Sequence, residues 1–351
     1  MTASTRHPLT HLVSHLLTPL LMCLGMALAY QGAFHQPAPH HLKVAVVGSS
    51  PQSQALAAGI QQKAGSALDI STVPDRAAGA HQIEQRQLVG AFVPDPRNPE
   101  LLVATANSDS SKTAVQEVFT QVADAQGVPM KTTDLVPTSS GDPTGQGIFF
   151  LLVALSVGAY GSVAVIGAAG AALSMRGRAL VGLAVSLAVS VIGIVVAGPV
   201  YHIVDHHQVA VWALAWLYSA GIVMIGTGLH SFLKRWTTLT LMVLFVMLNF
   251  TSSGGVFQPA LQPGLFGWLH RFYDGAGFVE GTRSILYFDG GVGLGGRVLS
   301  LALWLVAGLA LVAAGGWYER RARLAAQRAA ARPALAVVDG AEEEMEEAVG
   351  V

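Results

Sequence analysis

The sequence predicts an α-helical polytopic membrane protein, with six transmembrane helices and an extracytoplasmic α/β domain between the first and second spans. Three observations carry that prediction. Of the 351 residues, 52% are hydrophobic and only 12% charged, against about 25% charged in an ordinary soluble domain. Six apolar stretches recur along the chain, and a helix needs about 20 such residues to cross hydrocarbon. Residues 31–146 differ from the rest, with short β-branched runs punctuated by Gly, Pro, Asp and Asn. A net charge of −1 points to neither a nucleic-acid partner nor a strongly acidic one.

The first apolar stretch, residues 9–30, is interrupted by His11, His15 and Pro19. Residues 1–30 read as a retained anchor. The alternative is a cleaved signal, because Ala27, Leu28 and Ala29 fit a small-x-small cleavage site and Arg6 supplies a weak positive flank. Either way, residues 31–146 are expected outside the cytoplasm. The lone cysteine, Cys23, excludes an intrachain disulfide. Within 31–146, strands are expected at KVAVVG (43–48), LDISTV (68–73), LVGAFV (88–93) and LLVATA (101–106). Helices are expected at 52–64, 76–87 and 112–125, the last capped by Ser108 or Asp109. The order is β-α-β-α-β-β-α, followed by a Pro- and Gly-bearing linker over 134–146.

Residues 147–318 form a five-helix membrane domain, with spans at 147–175, 179–201, 209–233, the helix from 237, and 298–318. Arg176 and Arg178 follow the first of these, Lys234 and Arg235 the third, and Arg320, Arg321, Arg323, Arg328 and Arg332 the last. The positive-inside rule puts all three clusters, and both termini, in the cytoplasm. The Ala- and Gly-rich, Lys-poor usage suggests a GC-rich bacterial genome, hence a bacterial inner membrane. The tail, 319–351, turns from basic to acidic at Asp339, Glu342, Glu343, Glu344, Glu346 and Glu347. Its basic part belongs near anionic headgroups, and its acidic part reads as a solvated, disordered end.

One stretch breaks the helical pattern. The apolar run 237–248 meets Ser252, Ser253, Gly254, Gly255 and then Pro259 and Pro263, before an amphipathic segment with Trp268, His270, Arg271, Tyr273, Glu280 and Arg283. Helix breakers at membrane depth are tolerated only where protein or a water-filled cavity covers the freed backbone. The segment 249–296 is therefore expected to break near the outer side and lie along the bilayer or dip back into it. Glu280 and Arg283, at i and i+3, would pair there. They would form an interfacial salt bridge flanked by Trp268, Phe272 and Tyr273 as headgroup anchors, or they would touch substrate or lipid.

This stretch resembles the region before the last span in YhgE/Pip-like proteins of the wider ABC-2 type permease group. The shared features are the Ser252–Gly255 turn, Phe257 with Pro259, Pro263 with Phe266, Trp268 with His270, and Gly281 with Arg283. The layout of one span, an external domain and five spans is similar too. The external region here is short for that family. The resemblance implies the permease subunit of an exporter moving a lipid-like or amphipathic substrate, or an envelope protein descended from one. It also implies a homodimer in which the outer turn caps the path between protomers. Ser252, Ser253, Gly254, Gly255, Phe257, Pro259, His270, Glu280 and Arg283 are the substrate-path candidates. The alternative is a non-transporting envelope protein whose external domain binds a partner or serves as an attachment surface.

Other patterns point to blander roles. None of the five lysines follows a glycine, so no phosphate-binding loop is present and an ATPase would be a separate chain. Gly291, Gly293 and Gly296 fit GxGxxG but precede a membrane span, as an outer hairpin would. His202, Asp205, His206 and His207, like His35, His40 and His41, read as solvated turns rather than metal ligands. No Asp, Glu, Lys or Arg lies between Arg178 and Asp205, Asp205 and Lys234, or Arg235 and Arg271. Ion coupling is accordingly not expected. Small pairs such as Gly158 with Ser162 and Gly167 with Ala171 suit tight helix packing. No nucleophile–base–acid set stands out, so neither an enzyme nor a cofactor is expected.

Overall fold

The computed structural model describes residues 8–349, so Arg6 lies outside the described residues. Helix α1 (Pro8–Phe34) leads into a five-stranded sheet: β1 (Leu42–Val47), β2 (Leu68–Val73), β3 (Gly90–Val93), β4 (Glu100–Val103) and β5 (Lys131–Asp134). Helices α2 (Pro51–Ala64), α3 (Arg76–Glu84) and α4 (Asp109–Asp124) connect the strands. The order across the sheet is β2-β1-β3-β4-β5; only β3 and β4 pair antiparallel. Side chains alternate between faces, as a strand requires. Val44, Val46 and Phe92 pack under α2 and α4, where Phe92 stacks on Phe119 at 4.8 Å. Ala45, Val47 and Ala91 pack with Ile83 of α3. Each helix begins on a side chain that takes up a free N–H: Ser50, Asp75 and Ser108. Strand β5 was not expected. Its sequence, KTTD, is polar and largely exposed, as an edge strand can be.

Five helical segments are long and apolar enough to cross a membrane: Leu16–Phe34, Gly147–Ala169, Met175–Val200, Gln208–Ser252 and Leu294–Arg328. The first and last are parts of α1 and α12 (Leu294–Val349); the others take in α5 (Gly147–Ala169), α6 (Met175–Val195), α7 (Gln208–Leu233), α8 (Thr237–Met242) and α9 (Asn249–Ser252), with α10 (Gly264–His270) and α11 (Asp274–Tyr287) between α9 and α12. The 45-residue segment Gln208–Ser252 is not one rod. Lys234 turns the chain at φ 48, and α8 then runs back along α7. Thr237 Oγ1 lies 3.2 Å from His230 Nδ1, and Asn249 Nδ2 donates to the Tyr218 hydroxyl at 2.6 Å. Between these pairs, Leu241 sits against Gly226. Partners that recede symmetrically from one turn define an antiparallel helical hairpin. A π-helical stretch, Val243–Leu248, joins α8 to α9.

The longest of the central helices, α7, packs against α5, α6, α11 and α12. Its contact with α12 is backbone to backbone. A Cβ on Gly228 would stand 2.6 Å from the Leu311 carbonyl carbon, and one on Gly308 2.8 Å from the Ile225 nitrogen. Small residues permit this approach where lipid supplies no hydrophobic drive between helices.

Two expectations need correction. Helix α11 is not an interfacial segment: every residue from Asp274 to Leu286 is buried, between α5, α7, α9 and α12. Gly275, Gly277 and Gly281 make the close packing possible, so the segment dips into the bundle, while Trp268 and Phe272 stay exposed on its approach. The bundle interior therefore does hold ionisable groups, Asp274, Glu280 and Arg283. They arrive on the short helix α11 rather than on one of the five long apolar segments, which is why a scan of those segments misses them. The tail also differs, since α12 runs unbroken to Val349. At 1.5 Å per residue its 56 residues extend about 84 Å, in keeping with the helix-forming Ala, Arg and Glu of that stretch.

Candidate functional site

The site begins where the helical hairpin stops. Thr251 and Ser252 hydroxyls donate back to the carbonyls of Met247 and Leu248 at 2.7 Å each, and Ser253 Oγ donates to Phe250 O at 3.0 Å. Such back-bonding competes with helix continuation, and Gly254, at φ 74, ends the helix in a conformation open to glycine. A terminated helix leaves carbonyls without partners, and three long side chains from the next thirty residues return to meet them. Gln262 Nε2 donates to Thr251 O at 2.8 Å, His270 Nδ1 to Ser252 O at 2.9 Å, and Arg283 Nη1 to Gly254 O at 2.9 Å. A guanidinium at this negative end of the helix is also electrostatically favourable.

Glu280 stands at the centre. Its Oε1 accepts from Arg283 Nη1 at 2.7 Å and from Gln258 Nε2 at 3.2 Å, while Oε2 pairs with Arg86. Arg86 comes from the α/β domain, just after α3. Its Nε donates to Asn107 Oδ1 at 2.9 Å, and its guanidinium lies 5.2 Å from the Phe288 ring centre. Glu280 and Arg283 are almost fully buried. The α/β domain is thus clamped onto α11 through an arginine–glutamate–arginine triad in which Glu280 and Arg283 are buried and Arg86 partly so. Removing one member of such a set leaves an uncompensated charge. Further bonds across the junction are Gln258 Nε2 to Asn107 O (3.2 Å), Ser110 Oγ to Val256 O (3.3 Å) and Ser139 N to the Tyr287 hydroxyl (3.4 Å).

Beside the triad lies a cavity of about 420 Å³ with walls from both sides of the junction. Lys43, Arg86 and Asn107 come from the α/β domain; His270, Glu280 and Arg297 come from the membrane side. Glu280 already pairs with Arg86, which leaves Lys43 and Arg297 as the surplus cations of the lining. The positive balance of the cavity suits an anionic group. Deeper in the bundle a polar chain continues. Ser156 Oγ lies 2.5 Å from the Tyr218 hydroxyl, which accepts from Asn249, whose Oδ1 accepts from Gly275 N at 2.7 Å. Asp274, fully buried, accepts from Gly275 N at 2.8 Å through Oδ1.

Of the sequence-derived candidates, Ser252, Ser253, Gly254, His270, Glu280 and Arg283 come together in this cluster. Gly255 lies against the Phe149 ring, where a Cβ would come within 2.5 Å. Phe257 and Pro259 serve the domain junction instead. The Phe257 ring packs 5.8 Å from that of Phe34 and under the sheet, and Pro259 opens a 3₁₀ turn, Pro259–Leu261, whose Ala260 carbonyl accepts from His40 N at 2.7 Å. Sequence reasoning missed Arg86, Asn107, Asn249, Gln258 and Arg297. Gln258 and Asn249 sit within the broken stretch and were open to notice. Arg86 and Asn107 lie far away in sequence, in a turn and a loop that carry no motif. His206, in the loop between α6 and α7, is structural: it contacts Asp205 and its Nε2 donates to Leu286 O at 2.6 Å. Among the described residues no group of three or more His, Cys, Asp or Glu is placed to hold a metal ion. Comparison of the chain with protein-family models, with curated proteins and with solved structures gives no match.

Proposed function

We propose that the chain is the membrane subunit of an ABC-2 type exporter, moving an anionic amphipathic molecule with an ATPase supplied by a separate polypeptide. The observation that carries this is the cationic cavity between the α/β domain and the re-entrant helix α11, closed on one side by the Arg86–Glu280–Arg283 triad. A transporter needs a path that opens at one end only on demand. A soluble domain held at the mouth of a helical bundle by a breakable charge pair is suited to that gating. On this reading the two arms of the helical hairpin each cross the membrane, which makes six crossings. The basic clusters support an arrangement with both termini inside. Arg178, Ser231 and Glu319 meet at one end of the bundle (2.5 and 2.8 Å), which gathers the clusters near 176, 234 and 320 away from the α/β domain. The α/β domain then lies outside a bacterial inner membrane, and the working unit is a homodimer.

A second reading is favoured by one observation. The turns at the basic end, near 170–174 and 234–236, are short, which leaves an ATPase little beyond the extended α12 to grip. On that reading the protein is an envelope component whose α/β domain binds a partner. Affinity isolation of the full chain from gently solubilised native membranes, read by mass spectrometry, separates the two. Stoichiometric recovery of a nucleotide-binding subunit supports the exporter. Repeated recovery with envelope proteins alone overturns it.

A further inference from the structure

We propose that the end of the bundle opposite the α/β domain carries a binding site for one anionic phospholipid, in the groove between the start of α6 and the flank of α12. The groove encloses about 640 Å³. Its α12 wall changes character along its length. Leu309, Val312 and Ala313 make an apolar half, and Glu319, Arg320 and Arg323 a charged half, with Arg176 facing them from α6. At 1.5 Å per residue, Leu309 to Arg323 covers about 21 Å, enough for a headgroup and much of an acyl chain.

The charge balance selects the headgroup. Glu319, the one acid in the lining, is taken by Arg178 Nη2 at 2.5 Å and Ser231 Oγ at 2.8 Å. Arg323 lies 4.0 Å from the same carboxylate. Among the described residues neither Arg176 nor Arg320 has an acidic partner within ion-pairing distance. The first turn of α6 adds its positive dipole end and unpaired N–H groups to the same spot. Guanidinium groups match phosphate oxygens two at a time. Trp317, 56% exposed, marks the border between the halves, with Arg321 3.9 Å above its ring. An indole at such a border is what a headgroup-level anchor looks like. The apolar half favours a lipid over a free phosphate, and the surplus of arginines favours an anionic lipid over a zwitterionic one. The site stands whether or not an ATPase partners the chain.

The test is native mass spectrometry of the full chain in detergent, offered equimolar phosphatidylglycerol and phosphatidylcholine. Wild type should retain phosphatidylglycerol preferentially. Each surface arginine changes such binding by about fivefold, so the triple variant Arg176→Gln, Arg320→Gln, Arg323→Gln should lose at least about tenfold. Ala313→Phe, which fills the apolar half and leaves every charge in place, should lose it too, and covers the case in which the triple variant fails to fold. Lys234→Gln with Arg235→Gln, at the same end but outside the groove, should leave retention unchanged. Equal retention of both lipids, or a preference that survives both groove variants, would overturn the proposal. So would displacement by glycerol 3-phosphate at equal concentration, which would identify a phosphate site rather than a lipid site.

Discussion

Replacing Arg86 with Ala tests the clamp between the α/β domain and α11. Glu280 would keep Arg283 and Gln258, so it is not orphaned. The loss is then that of a charged hydrogen bond, about 1.5–3 kcal/mol. Glu280→Ala is more severe, because Arg283 and Arg86 would both remain at a buried site without an anion. Breaking a buried pair from one side costs about 3–5 kcal/mol. In the double variant the Arg86 charge is gone as well, so part of the second penalty disappears. The two effects should fall short of additivity by about 2 kcal/mol, near the low end of coupling for close charge pairs. The assay is a double-mutant cycle on the full chain, with unfolding followed by SDS titration in mixed micelles and hydrogen exchange read over 274–287. Additivity within about 0.5 kcal/mol, the figure for independent sites, would show that the two groups do not act as a pair.

Two other contacts and the membrane topology lead to measurable outcomes. Gly275→Ala would drive a methyl group into the Asn249 side chain. Thermal unfolding in detergent should show a loss of about 1–3 kcal/mol, the usual cost of overpacking, and an unchanged midpoint would contradict the α9–α11 contact. In the α/β domain, hydrogen bonding from Arg76 holds the Glu100 carboxyl down at about 2. Its unfolded value is about 4.3, so the folded form is stabilised above that pH and the stabilisation is lost as pH falls through 2. Arg76 is half exposed, so Arg76→Ala should cost only about 1 kcal/mol at pH 7. The difference from wild type should shrink steadily between about pH 4 and pH 2 and vanish only below the folded value; a difference that does not shrink over that range refutes the linkage. Single cysteines at Ser49 and at Lys234, with Cys23 replaced, should react with a membrane-impermeant thiol reagent from opposite sides of sealed vesicles. Reaction from the same side would eliminate the six-crossing arrangement.

Much of the fold was legible because each element carries its own period. Residues 68–73 read as a strand because LDISTV is β-branched and bounded by turn residues, and β2 occupies that range. The start of α4 was narrowed to Ser108 or Asp109, both good N-cap residues, and Ser108 is the one that takes the cap. The hairpin at Lys234 was announced by a charge pair between two apolar runs. What stayed hidden depends on contacts distant in sequence. Asp274–Tyr287 looks amphipathic when taken alone, and only the glycines facing Leu214, Leu301 and Asn249 show that protein, not solvent, covers it. Likewise Glu280 and Arg283 were placed together by helical spacing, whereas Arg86, 194 residues from Glu280, has no local signature of its role. Strand β5 was missed because an edge strand need not be apolar.

The cavity between the α/β domain and α11, as a site for an anionic amphiphile, is the feature on which the proposed transport rests. Hydrogen exchange of the full chain with dodecyl phosphate, compared with dodecylphosphocholine, tests it most directly. Dodecyl phosphate should slow exchange over residues 85–89 and 292–297, which line the cavity from its two sides. Arg297→Gln should weaken that protection about fivefold, the effect of one arginine charge, without altering exchange near 176 or 320. No protection over these segments, or equal protection by both amphiphiles, would contradict an anion-selective cavity.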